Sequence, residues 1–351
     1  HEDIAWNWAE FGRDPLQSAL EIRRREVGQA AEAAVGQRTT GLAEWRAGRV
    51  ALIFATIFTM PAAYASAPGQ RVVYDTPEEA HQTGWEQLVY YHGLVQRSSS
   101  LTLVKSRSDL QGLVASWNDP AALAPPPIGL ALSMEGAEPI ADMDDLQVWH
   151  RKGLRLLGPA WKSTRYAAGA GEEGGLTRAG RKLLREMERL GMILDLSHLA
   201  PAATLEALER YPGTLIASHS NPHRFLPTER GLTDEMVRQI AAHQGVVGIN
   251  FYNAFLKPGW QRGMPREQVT LETVADAIDT VAQLTGSSAH VALGTDLDGG
   301  FGLDCIPQGL DTVADLGKVG EVLARRGYAP EDVAGVMSGN WLRLLQRGLP
   351  E

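Results

Sequence analysis

Short apolar runs alternate with longer amphipathic stretches along this chain of 351 residues. The apolar runs have the length of buried strands and cover residues 50–58, 128–133, 153–157, 192–196, 214–217, 245–250 and 290–294. The stretches with helical spacing cover residues 16–34, 78–98, 177–190, 202–211, 233–243, 270–284 and 317–326. Because strands that alternate with helices form parallel sheets of βα units, the pattern predicts an α/β fold.

The number of predicted strands indicates a closed sheet. Seven apolar runs are present, and residues 1–4 resemble the tail of an eighth strand that begins before His1. Eight βα units over this length are typical of a TIM-type (β/α)8 barrel. An open, doubly wound sheet is the alternative, because hydrophobic periodicity alone does not show closure. Since the chain has no linker, charge block or internal repeat, we predict a single barrel domain over residues 1–351 that lacks the first residues of strand 1.

Composition limits the partners of the chain. It carries 33 Lys and Arg against 42 Asp and Glu, a formal net charge of −9, which argues against a nucleic-acid partner and is compatible with bound metal cations. Its one cysteine, Cys305, forms neither an internal disulfide nor a thiolate zinc site and fits a cytoplasmic location. The longest apolar run, residues 50–63, is shorter than the ~18–20 residues of a membrane span, so we expect no membrane partner. The chain opens at His1 rather than Met, which leaves a removed signal peptide open.

Histidines and carboxylates follow five of the predicted strands. In parallel barrels the active site lies at the carboxyl ends of the strands, so these side chains are expected to converge. The candidate residues are His1, Asp3, Glu135, His198, His219 and Asp296. Imidazole and carboxylate groups are the usual ligands of zinc and similar metals, so the sequence predicts a metal site at the strand ends.

The spacing of these residues indicates two metal ions. His1 and Asp3 are two positions apart, and such positions on a strand face the same side, so both can bind one ion. His198 and His219 end consecutive predicted strands, and the two oxygens of Glu135 can bridge two ions ~3.5–4 Å apart. Each residue alone has a structural alternative, because a carboxylate at a strand end often caps a helix. The joint pattern at five strand ends favours a functional site.

A set of short motifs extends over nearly the whole chain. They are His-Glu-Asp at 1–3 with Trp6 close behind, Ser-Met-Glu-Gly at 133–136, Leu-Asp-Leu-Ser-His at 194–198, Ala-Ser-His-Ser at 217–220, Glu-Arg-Gly at 229–231, Asn-Phe-Tyr at 250–252, Gly-Thr-Asp-Leu-Asp-Gly at 294–299 and Gly-Asn-Trp-Leu-Arg at 339–343. In this order and at this spacing they resemble the renal (membrane) dipeptidase family of metallopeptidases. Any one motif alone is weak, and their combination makes the resemblance specific.

The resemblance implies an amidohydrolase-like (β/α)8 barrel with two divalent metal ions, which we expect to be zinc. By the family's motifs, His1 and Asp3 would hold one ion, His198 and His219 the other, and Glu135 would bridge both. With one cysteine and no lipid-anchor tail, the chain is similar to soluble bacterial members of the family rather than to the mammalian ones.

The same resemblance implies roles in catalysis and substrate binding. Asp296 would be the acid/base carboxylate, Arg230 would bind the substrate carboxylate, and Tyr252 would lie near the substrate pocket. After the fourth strand the family often has Thr-His-Asn, whose His contacts the substrate, whereas this chain has Gly-Pro-Ala-Trp-Lys-Ser at 158–163. Trp161 takes the position of that His, as in a similar bacterial branch in which Arg-Tyr follows, here at 165–166. A tryptophan offers one N–H donor and an aromatic wall in place of an imidazole.

The predicted function is hydrolysis of dipeptides with a free C-terminal carboxylate by a hydroxide shared between two metal ions. Arg230, at a fixed distance from the metals, would act as a ruler that favours short peptides. The alternatives are a related dinuclear amidohydrolase that acts on N-acyl amino acids, lactones or β-lactams, a non-catalytic binding protein, and a scaffold. The expected partner is a dipeptide or similar small molecule, with a homodimer as the default assembly.

Overall fold

Strands and helices alternate through the computed structural model, which describes residues 1–65 and 71–351. Within these residues the strands are β1 (Leu52–Phe58), β2 (Met60–Pro61), β3 (Val73–Tyr74), β4 (Leu101–Leu103), β5 (Ile128–Glu135), β6 (Leu154–Gly158), β7 (Ile193–Asp195), β8 (Leu215–Ala217), β9 (Val246–Ile249) and β10 (Val291–Leu293). The α-helices of the same residues are α1 (Ile4–Phe11), α2 (Ala19–Glu26), α3 (Ala30–Val35), α4 (Leu42–Ala47), α5 (Pro77–Arg97), α6 (Arg107–Trp117), α7 (Met143–Arg151), α8 (Arg178–Arg189), α9 (Pro201–Arg210), α10 (Asp234–Ala242), α11 (Asn253–Leu256), α12 (Leu271–Thr285), α13 (Gly317–Arg325), α14 (Pro330–Ala334) and α15 (Asn340–Gly348).

Each predicted apolar run overlaps one of these strands. The strands concerned are β1 and β5 to β10, and their pairings within the described residues are parallel. This result confirms the predicted α/β class. The short strands β2, β3 and β4 were not predicted, because two or three residues give no periodicity.

The predicted helix over residues 16–34 is wrong as a single element. The chain forms α2 and α3 there, and Gly28 between them has a φ of 71°. A residue in this left-handed region cannot continue a right-handed helix, and glycine adopts the conformation without steric cost. The other predicted helices correspond to α5, α8, α9, α10, α12 and α13, whereas α1, α6 and α7 are among the helices that were not predicted.

The chain divides into two compact units, and the first contains β1 to β7. This β1–β7 unit consists of Glu2–Gly12, Val50–Thr214 and Leu345–Glu351. In it β5 pairs with β1, β4 and β6, and β6 pairs with β7, all in parallel. Every residue of β5 is buried, as expected for a parallel strand that is covered on both faces.

The start of the chain extends the sheet of the β1–β7 unit. The N–H of Glu2 donates to the carbonyl oxygen of Phe54 at 3.0 Å, and the N–H of Thr56 donates to that of Glu2 at 3.0 Å. Glu2 therefore has the strand pairing that the sequence predicts for this segment. Asp3 has already left the strand, because it is the N-cap residue of α1 and has a ψ of 53°.

The second unit, the β8–β10 unit, consists of His1, Arg13–Arg49 and Leu215–Leu344. In it β9 pairs in parallel with both β8 and β10. Gly248 in β9 and Gly294 directly after β10 approach the carbonyl oxygen of Ser218, and a Cβ at either position would lie 2.0 Å from that oxygen. Only glycine permits this approach, which brings together the polar residues that follow β8 and β10.

The helices of residues 1–65 and 71–351 were compared with the length and apolarity of a membrane span. The longest of them in the described ranges is α5, whose 21 residues mix apolar positions with charged and polar ones. None of the described helices is both long and apolar enough to cross a bilayer. The single catalytic domain predicted over residues 1–351 stays a prediction.

Candidate metal centre

Two histidines and one aspartate converge at the strand ends of the β8–β10 unit. His1, His219 and Asp296 each place one ligand atom within 4.8 Å of those of the other two. Nε2 of His1 lies 3.7 Å from Oδ1 of Asp296, and the ring centroids of His1 and His219 are 4.0 Å apart. Two imidazoles and one carboxylate are a donor set that suits zinc, so these residues fit a divalent metal ion.

The residue before His219 fixes the orientation of its ring. The hydroxyl of Ser218 forms a hydrogen bond with Nδ1 of His219 at 2.7 Å, and both side chains are buried. A hydrogen bond at one ring nitrogen sets the tautomer and directs the other nitrogen towards a metal ion. Ser218 was not predicted as a site residue, and its position beside His219 at the strand end is the signal that could have found it.

Asn250 was not predicted as a site residue either, yet it contacts Asp296. Its Nδ2 donates to Oδ2 of Asp296 at 2.9 Å, and its Oδ1 accepts from the N–H of Tyr252 at 2.7 Å. Because the backbone N–H holds the amide oxygen, the amide nitrogen faces the carboxylate. Asn250 therefore orients Asp296, and its position directly after β9, in a motif of the sequence analysis, is the signal that could have assigned it a role.

The β1–β7 unit holds a second pair of predicted ligands. Nε2 of His198 lies 3.6 Å from Oε1 of Glu135, and the two side chains are 14% and 10% exposed. Glu135 is the last residue of β5, and His198 follows β7 with a φ of 68°. Asp3 is also buried in this unit. Since Asp3 lies outside the extended strand, the spacing argument that paired it with His1 does not apply to the folded chain.

Arg230 is held beside His219 within the β8–β10 unit. Its Nη2 donates to the carbonyl oxygen of His219 at 2.6 Å, and its Nη1 donates to Oγ of Ser220 at 2.7 Å. Its Cζ also lies 5.6 Å from the ring centroid of Phe255. These contacts fix a planar guanidinium next to a candidate metal ligand, a position that suits the predicted recognition of a substrate carboxylate.

Tyr252 belongs to an aromatic cluster in the same unit. Its ring stacks on Phe301 at 4.7 Å and makes edge contacts with Phe255 at 5.1 Å and Trp260 at 6.3 Å. Burial raises the pKa of Tyr252 above its ordinary value, so the hydroxyl stays neutral and is a hydrogen-bond donor. Burial also raises the pKa of the Cys305 thiol to about 12, which makes a thiolate nucleophile at this position untenable at neutral pH.

Trp161 lies beside His198 in the β1–β7 unit. Its ring centroid is 6.2 Å from that of His198, 5.1 Å from that of Phe58 and 6.0 Å from that of Tyr64. Nζ of Lys162 lies 5.2 Å from the ring centroid of Tyr64. An aromatic wall therefore stands next to a predicted metal ligand, at the position where the family resemblance implies a substrate contact.

Comparison with known proteins gives a family model that matches nearly the whole chain and relatives that match a larger part of it. The model of the family described as "Membrane dipeptidase (Peptidase family M19)" matches residues 1–348. The chain is 32% identical over 273 residues to an uncharacterized protein of Klebsiella pneumoniae, covering 75% of this chain and 94% of that one. It is 33% identical over 223 residues to an uncharacterized dipeptidase of Schizosaccharomyces pombe, covering 62% of this chain and 52% of that one.

A solved structure is similar over nearly the full length. It is a metallopeptidase from Rhodobacter sphaeroides liganded with a phosphinate mimic of the dipeptide L-Ala-D-Ala. The TM-score is 0.79 at 26% sequence identity, and the match covers 99% of this chain and 97% of that one. This similarity confirms the predicted fold class, an α/β fold of the TIM-barrel type.

Proposed function

From the premise that the chain belongs to the membrane dipeptidase family of metallopeptidases, peptidase family M19, we propose that it hydrolyses dipeptides that carry a free C-terminal carboxylate. The observation that carries the proposal is the convergence of His1, His219 and Asp296 within 4.8 Å. This donor set supports metal-dependent hydrolysis, and the guanidinium of Arg230, hydrogen-bonded to the carbonyl oxygen of His219, supports recognition of a carboxylate.

The proposal includes two divalent ions, with zinc as the expected metal. His1 and Asp3 are assigned to one ion, His198 and His219 to the other, and Glu135 to both. The close approach of His198 to Glu135 supports the assignment of both to one ion, and the contact between the rings of His1 and His219 supports two ions that are neighbours. When bound, such ions lower the pKa of a water molecule to about 7 and polarise the scissile carbonyl, which makes a hydroxide nucleophile available at neutral pH.

Asp296 is assigned the proton transfers of the reaction. Its Oδ2 accepts the hydrogen bond from Asn250, so Oδ1 is the oxygen that takes the proton of the nucleophilic water. Oδ1 then passes the proton to the leaving amine, which cannot depart as an anion. A carboxylate that is held by Asn250 needs no reorientation between the two transfers.

Arg230 is assigned the binding of the substrate carboxylate. Its contacts with Ser220 and with the backbone of His219 leave the guanidinium little freedom to move. A cation fixed beside a metal ligand sets the distance between the bound C-terminal carboxylate and the metal site. Only a scissile bond one residue from that carboxylate then reaches the site, which favours dipeptides over longer chains. Tyr252 and Trp161 are assigned to the walls that contact substrate side chains.

The test is a mass-spectrometric screen of the purified chain after chelation and again after reloading with zinc. The library contains L,L- and L,D-dipeptides, their C-terminal amides as matched controls, N-acyl amino acids, lactones and a β-lactam. We expect cleavage of free-carboxylate dipeptides that chelation abolishes and zinc restores, with two ions per chain by metal analysis.

Two results of the screen would contradict the proposal. Equal cleavage of dipeptides and their amides would remove the carboxylate requirement and the role of Arg230. Cleavage of N-acyl amino acids, lactones or the β-lactam without dipeptide cleavage would identify an amidohydrolase of another specificity.

A further inference from the structure

The turn that follows β10 contains two strained residues. Asp296 has a φ of 57° and Asp298 a φ of 64°, both in the left-handed region that residues with a side chain rarely adopt. Such conformations persist only where the surroundings hold them, and they cluster at functional sites. The position of the Asp296 carboxylate therefore depends on the contacts that hold this turn.

The carboxylate of Asp298 is buried and receives hydrogen bonds on both oxygens. Its Oδ1 accepts from the N–H and the hydroxyl of Thr39, at 2.9 and 2.8 Å. Its Oδ2 accepts from the N–H and the hydroxyl of Thr40, at 2.9 and 2.7 Å. Nε of Arg38 lies 3.1 Å from Oδ2. A buried carboxylate is stable only when its charge is compensated in this way, so Asp298 is tightly bound to residues 38–40.

Residues 38–40, the anchor segment, are themselves fixed by the backbone around them. The carbonyl oxygen of Thr39 accepts from the N–H of Val313 at 3.0 Å, and directly before the segment that of Gln37 accepts from the N–H of Leu303 at 3.0 Å. Arg38, Thr39 and Thr40 are at most 1% exposed. The anchor segment is therefore a rigid support within the β8–β10 unit rather than a loose surface loop.

The turn closes directly on the carboxylate of Asp296. The N–H of Gly299 donates to the carbonyl oxygen of Asp296 at 3.0 Å. A Cβ at Gly299 would lie 2.3 Å from Oδ1 of Asp296, so the close contact requires glycine. A shift of the turn would consequently move Oδ1, the oxygen that takes the proton in the proposed reaction.

We propose that Asp298 is a positioning residue that holds Asp296 in place for proton transfer by binding the anchor segment. The inference rests on the proposed function only for its effect on turnover. Asp298 acts through the turn, because its own carboxylate is occupied by residues 38–40. The hydroxyls of Thr39 and Thr40 contribute only part of this anchoring, because the backbone N–H groups of the same two residues also donate to the carboxylate of Asp298.

The first test is the kinetics of D298N with zinc loaded. The amide nitrogen cannot accept the hydrogen bonds made to one of the two oxygens, so we expect the turn to shift and kcat to fall on the order of 10- to 100-fold, a typical result of a 1 Å misplacement. KM and the metal content are expected to stay at the wild-type level. T39V and T40V, which remove one hydroxyl each, are expected to lower kcat less, and the double variant replaces D298N if that variant does not fold.

The matched control is D279N. Asp279 is a half-buried carboxylate of α12 in the same unit, and it accepts from Nη1 of Arg326 at 2.7 Å and from the hydroxyl of Tyr328 at 2.5 Å. The substitution is expected to lower the melting temperature as D298N does but to leave kcat unchanged. If D298N keeps the wild-type kcat while losing the same stability as D279N, Asp298 is merely structural and the inference is overturned.

A second readout does not depend on activity. Hydrogen exchange of the Gly299 N–H is expected to accelerate in D298N by more than the change in the free energy of unfolding explains, and to be unaffected beyond that change in D279N. Unchanged protection of Gly299 in D298N would overturn the anchoring. If the wild-type chain cleaves no dipeptide, the proposed function fails, and the exchange measurement still decides whether Asp298 holds the turn.

Discussion

The strand ends of the β8–β10 unit and the aromatic wall around Trp161 hold their candidate residues by different interactions. In the β8–β10 unit, His219 and Asp296 are buried at strand ends and are oriented by hydrogen bonds with Ser218 and Asn250, respectively. In the β1–β7 unit, Trp161 is half-buried and lies against neighbouring rings such as that of Phe58 at 5.1 Å. Hydrogen bonds fix the direction of a side chain, whereas ring contacts accept several arrangements. The difference assigns the proposed chemistry to the strand ends and the choice of substrate to the aromatic wall.

Polar contacts near the surface are part of what holds the segment around Trp161. Nζ of Lys162 donates to the carbonyl oxygen of Ala170 at 3.1 Å, and the hydroxyl of Tyr64 donates to Glu172. Lys162 and Glu172 are half-buried and Tyr64 is exposed, and polar contacts of such groups contribute little to stability. Loops of this kind vary readily around a rigid scaffold, which fits a role in substrate choice.

The largest effect is expected for D296N, which tests the strand-end side of the comparison. The amide cannot accept a proton, so kcat is expected to fall about 10²- to 10⁴-fold with both metal ions retained. Steady-state kinetics on the preferred dipeptide and metal analysis of the same sample check this result. D119N, at an exposed position, is the control.

Either of two outcomes would change the role of Asp296. Normal turnover would remove it from proton transfer. Loss of one metal ion per chain would make it a metal ligand, a role that is compatible with the distance of 3.7 Å between Oδ1 of Asp296 and Nε2 of His1.

A smaller effect is expected for R230A, which separates substrate binding from chemistry within the β8–β10 unit. The variant removes a charged hydrogen-bond donor to the carboxylate, and one such bond contributes about 1.5–3 kcal/mol, so KM is expected to rise at least roughly 10- to 100-fold with a lesser change in kcat. The variant is also expected to lose discrimination against C-terminal dipeptide amides. R224A, an exposed arginine close in sequence, is the control. Unchanged kinetics for both substrates would exclude Arg230 as the carboxylate anchor.

The strand ends of both units could be predicted because their signal is local. The apolar run over 290–294 contains β10, with Asp296 two residues after it, and the run over 128–133 lies within β5, which ends at Glu135. An apolar run marks a buried strand, and the first polar residues after it mark its carboxyl end. The family motifs then select which of these polar residues are candidates.

The interactions that hold the candidates in place could not be predicted, because they join distant parts of the chain. Thr39 bonds to Asp298 across 259 residues, and Asn250 bonds to Asp296 across 46. The hydrophobic periodicity of a short stretch of sequence contains no information about contacts between distant residues. The same limit applies to Trp161, whose position follows from the family motif, whereas its ring partners Phe58 and Tyr64 lie much earlier in the chain.

The smallest effect is expected for W161H, which tests the aromatic side of the comparison. The variant restores the imidazole that the family often has and removes ring contacts that contribute about 0.5–1.5 kcal/mol beyond burial. We therefore expect kcat/KM to change by up to about tenfold, in opposite directions for dipeptides with large and small side chains, while the metal content stays constant. W117H, in α6, is the control, because Trp117 donates to Pro127 away from the candidate residues of its unit. A uniform loss over all dipeptides comparable to that of D296N would place Trp161 in the chemistry, and the division between strand ends and aromatic wall would then be wrong.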